Sequence, residues 1–179
     1  MEEEKNSGFT KQCMFYGALI GIVLVLFTFT TYITGLSTNR GVGFAQWIIL
    51  IAAIFFSQKR YRDESLKGYI SYGKSLGFGT FTIFFASLIT GVFTYLLYAV
   101  IDPSLINKIL QISEESMVAQ GMPDEQIDMA LEMTKKFTTP LFMTFSTVFG
   151  LTFLGFIFSL ITSIFIKKKD NSFDSNFQQ

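Results

Sequence analysis

Apolar residues in this chain come in long unbroken runs rather than in the spaced stripes of a soluble helix. Residues 14–36 hold no charged side chain over 23 positions, residues 41–57 none over 17, and residues 76–101 and 141–166 none over 26 each. At 1.5 Å per residue these runs reach about 34, 25, 39 and 39 Å as helices, against a hydrocarbon core about 30 Å thick. The first, third and fourth span it. The second is marginal, and needs interfacial Trp47 or a slightly thinned bilayer. Outer-membrane strands would alternate polar and apolar positions, whereas 20–27 and 47–56 are nearly continuous apolar. The pattern predicts an all-α, integral membrane four-helix bundle, one transmembrane domain over 1–179. The leading segment 1–11 carries Glu2, Glu3 and Glu4 rather than a basic cluster. The first run therefore reads as a retained span, not a cleaved signal.

The connections differ in character. Residues 37–40 make a four-residue turn between Gly35 and Gly41, and 58–75 a basic loop. The segment 102–140 has a helical pattern of its own. Asp102 before Pro103 is a cap followed by a first-turn proline. Leu105, Ile106 and Ile109 follow at helical spacing, and Gly121 ends the run. Asp124 and Glu125 after Pro123 suit a new first turn, and Lys135 and Lys136 a last turn. Two short amphipathic helices, about 103–119 and 123–136, are predicted in the loop between spans three and four, with Pro140 ahead of span four.

Charge then selects an orientation. With four spans both termini share one side, and that side carries Lys5, Lys11, Lys59, Arg60, Arg62, Lys67, Lys74, Lys167, Lys168 and Lys169. The other side carries Arg40, Lys108, Lys135 and Lys136. The excess of cations predicts cytoplasmic termini. The acids split evenly, so a formal net charge of zero conceals a positive inner side and a negative outer one.

Composition narrows the chemistry. Charged residues make up 16% of the chain, against roughly 25% in a soluble domain. The balance of charge gives no general attraction to nucleic acid. Histidine is absent, so imidazole-dependent triads are excluded, and Cys13 alone makes neither an internal disulfide nor a zinc site. No catalytic, cofactor or metal residue is expected. Inside the spans there is no acid or base to mark an ion path. Gln46 is the only amide in them, and Thr28, Thr30, Thr31, Thr34, Thr80, Thr82, Thr90 and Thr94 can bond to preceding carbonyls.

Small residues mark where the spans should approach one another, because close backbone contact rather than apolar burial joins helices in lipid. Gly17 and Gly21 lie four apart on span one, and Ser87 and Gly91 on span three. Span four carries Ser146 and Gly150, then Gly155 and Ser159, with Ser163 four further on. These stripes are expected to be helix-packing faces, with a homodimer face as the rival reading. Lys59, Arg60 and Arg62 follow span two directly and form an expected interface for anionic lipid.

Two motifs invite sharper readings. Gly68 to Ser75 reads GYISYGKS and matches the phosphate-loop spacing. The charged stretch before it is no core strand, so the motif reads as a glycine-punctuated re-entry into the membrane with Tyr69 and Tyr72 in the aromatic belt. Asp124, Asp128 and Glu132 share one helix face. As ligands they would be oxygen-only and calcium-like; a solvated acidic face is the reading preferred here.

The stretch Tyr-Ile-Ser-Tyr-Gly-Lys-Ser at 69–75, Ile-Asp-Pro at 101–103 and Gly-Met-Pro-Asp-Glu-Gln-Ile at 121–127 resemble the bacterial four-span membrane family catalogued as domain of unknown function 4199. The resemblance implies a multi-pass protein of the bacterial inner membrane. It carries no activity and no functional residues. The leading functional reading is a non-enzymatic structural, accessory or interaction component, whose partners are the lipid bilayer and a membrane protein or a second copy. A small transporter or channel subunit comes second. A lipid-directed membrane enzyme using Asp124, Asp128 or Glu132 comes third.

Overall fold

The computed structural model describes residues 2–36 and 40–168, with side chains from Gly8 onward in the first stretch and from Gly41 in the second. Lys5, Arg40 and Lys169 of the orientation count, and the turn at 37–39, lie outside the described residues or side chains. Six α-helices follow in order: α1 (Glu2–Ile33), α2 (Arg40–Arg60), α3 (Tyr72–Leu96), α4 (Ser104–Ala119), α5 (Asp124–Phe137) and α6 (Pro140–Ile166). Single π-helical turns, Tyr61–Ser65 and Leu97–Ile101, extend α2 and α3. Among the described residues there is no strand, only one isolated bridge between Ile70 and Lys168. The chain is all-helical, with four helices long and apolar enough to cross a membrane: Gly8–Ile33, Gly41–Ser65, Tyr72–Ile101 and Pro140–Ile166.

The helices overrun the apolar runs where nothing in the backbone stops them. The polar leader continues α1 to Glu2, since Glu, Lys and Gln are good helix formers. The marginal second run becomes a 25-residue helical segment, about 38 Å long. Charged Lys59 and Arg60 do not end its hydrogen-bond ladder, so the expected loop at 58–75 is helical to Ser65 and again from Tyr72. Gly35 at φ +68 ends α1, with Leu36 N–H donating to Thr31 O at 2.9 Å and Gly35 N–H to Tyr32 O at 3.1 Å. Gly121 at φ +73 ends α4 by the same pair of bonds to Met117 and Val118. Both are left-handed caps that satisfy terminal carbonyls. The start of α4 lies one residue later than expected. Asp102 still caps it, accepting from the Ser104 N–H at 3.1 Å and from the Ser104 hydroxyl.

The described residues divide into two compact units, one within Met1–Ile89 and Gly150–Gln179, the other Thr90–Phe149. In the first, each membrane helix turns a narrow stripe inward. On α1 the buried positions are Cys13, Gly17, Ile20, Gly21 and Leu24. On α2 and its π turn they are Leu50, Ile54, Ser57, Gln58 and Tyr61. Both follow the i, i+4, i+7, i+8, i+11 spacing of one helix face. Ile20, Leu24, Leu50, Ile54, Ile83 and Ala86 form one apolar core, and Cys13, Tyr61, Ile70, Phe78 and Ile166 another. In the second core the Tyr61 and Phe78 rings stack with centroids 4.0 Å apart, with Phe9 and Tyr16 edge-on to Phe78. The opposite faces carry exposed apolar side chains such as Phe15, Leu26, Phe44, Ile48, Phe81 and Phe165, as a lipid-facing surface requires.

The second unit contains α4 and α5, joined through Gly121 and Pro123. Ile127 is buried, while Ile112, Val118, Met129, Met133 and Phe137 are exposed.

Candidate functional site

The most polar part of the interior lies where α2, α3 and α6 meet in the first unit. Gln58, Ser75, Ser159 and Ser163 are all fully buried. Gln58 Nε2 donates to Ser75 O at 3.1 Å and to Ser163 Oγ at 3.1 Å, and Ser163 Oγ donates to Ser75 Oγ at 3.1 Å. The Ser75 carbonyl can only accept, which fixes the amide orientation and leaves Oε1 as the amide atom outside these bonds. Gln58 Oε1, Ser159 Oγ and Thr82 Oγ1 are buried without a hydrogen-bond partner among the described residues. Gly79 makes room for the cluster: a Cβ there would run into Ser159 Oγ and Gln58 Nε2.

The energetics of this knot do not favour it as a stabilising device. Interhelical hydrogen bonds in membranes contribute about 0.6 kcal/mol each on average. An orphaned buried acceptor or hydroxyl costs about 1–3 kcal/mol. Three bonds contribute about 2 kcal/mol, and the orphaned Gln58 Oε1 and Ser159 Oγ cost at least as much, so the knot is no source of net stability. What the knot does supply is register, because one amide must meet groups on two other helices at once.

Sequence reasoning missed Gln58, having assigned it to a loop and named Gln46 as the only amide in the spans. The correction follows from helix geometry. Positions 50, 54, 57, 58 and 61 share a face, and that periodicity continues past the first charged residue. Among the threonines, Thr30, Thr31, Thr34 and Thr80 bond to preceding carbonyls at 2.7–2.9 Å. Thr82 does not, and is one of the orphans.

The small residues divide into two groups. A Cβ at Gly17 would lie 2.6 Å from Phe85 Cβ and 2.7 Å from Thr82 O, and one at Gly21 3.0 Å from Ile89 Cβ. A Cβ at Gly155 would lie 2.5 Å from Ile83 Cγ2, and one at Gly91 2.6 Å from Val148 Cγ2. Ser87 is buried and its hydroxyl lies 3.0 Å from Thr152 Oγ1. Ser159 faces Gly79. In contrast, Ser146 is exposed and a Cβ at Gly150 would meet nothing within 4 Å. Among the described residues the structure does not bring those two into a close helix contact.

The basic residues after span two are also distinguished. Arg60 pairs with Glu64 at 3.2 Å. Arg62 pairs with Asp63 at 2.7 Å and donates from Nη1 to Ile166 O at 3.2 Å, capping the end of α6. Lys59 is exposed and makes no ion pair among the described residues. Around the glycine-rich motif, Gly68 adopts φ +89 in a turn, Ile70 pairs with Lys168 through two 3.0 Å backbone bonds, and Ser75 is buried in the knot. Asp124, Asp128 and Glu132 are exposed along α5. Among the described residues, no three His, Cys, Asp or Glu side chains gather as a metal site.

No curated protein and no solved structure matches the chain. A family model described as Protein of unknown function (DUF4199) matches residues 15–168. That match includes the stretches at 69–75, 101–103 and 121–127 that carry the likeness, and together with the four apolar helices it makes this multi-pass membrane protein a member of the DUF4199 family.

Proposed function

We propose that the chain is a non-enzymatic structural, accessory or interaction component of the bacterial inner membrane, a single transmembrane domain with both termini cytoplasmic. The observation that carries this is how the interior is used. Inward stripes are taken up by glycine contacts and by hydroxyl and amide bonds between helices, and the outward surface is apolar. Such a bundle presents surfaces rather than a reaction centre. Its partners are then the lipid bilayer and a membrane protein or a second copy, and the exposed Val118, Met129 and Met133 of α4 and α5 give the surface at which to look for them.

Photo-crosslinking from those three positions in intact membranes tests the reading. Reproducible adducts with one membrane protein, or with a second copy, are expected. A purified protein that moves solute across liposomes, with flux abolished by a bulky residue at Gly91, would replace it with the transporter reading. The orphaned oxygens of Gln58, Thr82 and Ser159 favour that second reading, since they could contact a small polar solute. Reporter fusions at both ends test the orientation.

A further inference from the structure

An open apolar groove of about 450 Å³ runs between α2 and α6. That is within the roughly 300–1,000 Å³ of ordinary ligand sites. Its walls include Ile51, Ala52, Phe55 and Phe56 from α2 and Ile161 and Phe165 from α6. Thr162, also in the lining, already donates to Phe158 O at 3.0 Å.

The groove continues into positive charge. Ala52, Phe55, Phe56 and Lys59 follow i, i+3, i+4, i+7 and share one face of α2. Ile161 and Phe165 lie four apart on α6, and Lys168 lies two residues beyond the end of that helix. Lys59 and Lys168 are exposed, and both lie within electrostatic reach of Asp63. The Asp63 carboxylate is held by Arg62 through two bonds, at 2.7 and 3.2 Å, so its charge is offset locally. Lys168 is further positioned by its backbone pairing with Ile70, and its Nζ lies 5.6 Å over the Tyr69 ring.

We propose that this groove and these two lysines bind one anionic glycerophospholipid. An acyl chain lies against Phe55, Phe56 and Phe165, and the headgroup phosphate sits between Lys59 and Lys168. The proposal rests on the membrane reading above and names the lipid contact within it. Charge complementarity selects the occupant, since each basic group near a membrane surface attracts anionic lipid. The walls argue against a partner helix. Membrane helix contacts favour small residues and polar bonds, whereas this groove has large Ile and Phe walls, with Ala52 as the small residue and the Thr162 hydroxyl already bonded within α6. A flexible chain fits such walls without needing register.

The test uses the full chain, purified and delipidated in detergent, titrated with phosphatidylglycerol or phosphatidylethanolamine and read by native mass spectrometry. One phosphatidylglycerol per chain is expected, bound at least about tenfold more tightly than the zwitterionic lipid. At about fivefold per cation, Lys59→Gln with Lys168→Gln should weaken it by about 25-fold. Ala52→Trp fills the groove and should lower binding of both lipids. Burial of the Cys13 thiol against maleimide reports that each variant is folded. Equal binding of the two lipids to the wild-type chain, or phosphatidylglycerol binding unchanged in both variants, overturns the proposal. So does a dimer that crosslinks through Phe56→Cys, since a second copy would then cover the groove. A chain absent from the membrane fraction altogether would instead overturn the membrane reading.

Discussion

Two glycines that look alike in the sequence should respond oppositely to the same substitution. Gly17 and Gly150 both sit inside apolar helices, four residues from another small residue. Alanine at either gains the same helix-propensity term, about 1 kcal/mol. At Gly150 nothing lies within 4 Å of the new methyl, so that gain stands. At Gly17 the methyl arrives 2.6 Å from Phe85 Cβ and 2.7 Å from a backbone oxygen, Thr82 O. Carbon pairs are comfortable at about 3.5–4.0 Å, so α1 must move away from α3 by about 1 Å. A gap of that size forfeits roughly a quarter to a half of each dispersion contact it opens, along an interface that includes Ile20 and Leu24. Overpacking of this kind costs about 1–3 kcal/mol. The propensity term cancels between the two variants, so their difference in stability is the overpacking cost itself. Unfolding in detergent by titration with sodium dodecyl sulfate reads that difference. Trp47, the only tryptophan in the sequence and edge-on to Phe158 at 6.0 Å, provides the fluorescence signal. Gly17→Ala should be less stable than Gly150→Ala by about 1–3 kcal/mol. Equal stabilities, or a less stable Gly150→Ala, would refute the packing argument.

Three further outcomes follow from the same geometry. Gln58→Leu should stay within about 1 kcal/mol of the parent, because losing two bonds is offset by removing an orphaned acceptor; Gln58→Ala should cost about 2–5 kcal/mol through the cavity it leaves. A leucine variant as damaged as the alanine variant in the same titration would show that the bonds, not the volume, matter. Gly121→Ala should cost about 1–2 kcal/mol, since φ +73 strains a residue with a Cβ, although space is open around it; a neutral result would mean the α4 cap relaxes. Cys13 is fully buried, so maleimide should label it only after unfolding, and rapid labelling of the folded protein would place that face of α1 outward.

Much of the fold was legible because membranes impose one-dimensional rules. A backbone crossing hydrocarbon must bond within its own helix, so a charge-free run of sufficient length already names a spanning helix. Pro103, Gly121 and Pro123 placed α4 and α5 to within a residue, because proline and left-handed glycine act locally. The end of α2 was not legible by charge. Lys59 and Arg60 mark an interface, yet the ladder runs through them, and that concealed Gln58. The inward face at 50, 54, 57 and 58 is marked by burial alone, which exists only in the packed structure.

By itself, then, the sequence determined how many helices could span, where the short ones begin and stop, and which family the chain resembles, since hydropathy, caps and motifs are properties of neighbouring residues. Tertiary structure alone decided which small residues touch. Gly17, Gly91 and Gly155 approach other helices while Gly150 does not, and Gln58 reaches Ser75 and Ser163 across 17 and 105 positions of chain. Contact is a relation between surfaces distant in sequence, and it exists only once the helices have packed.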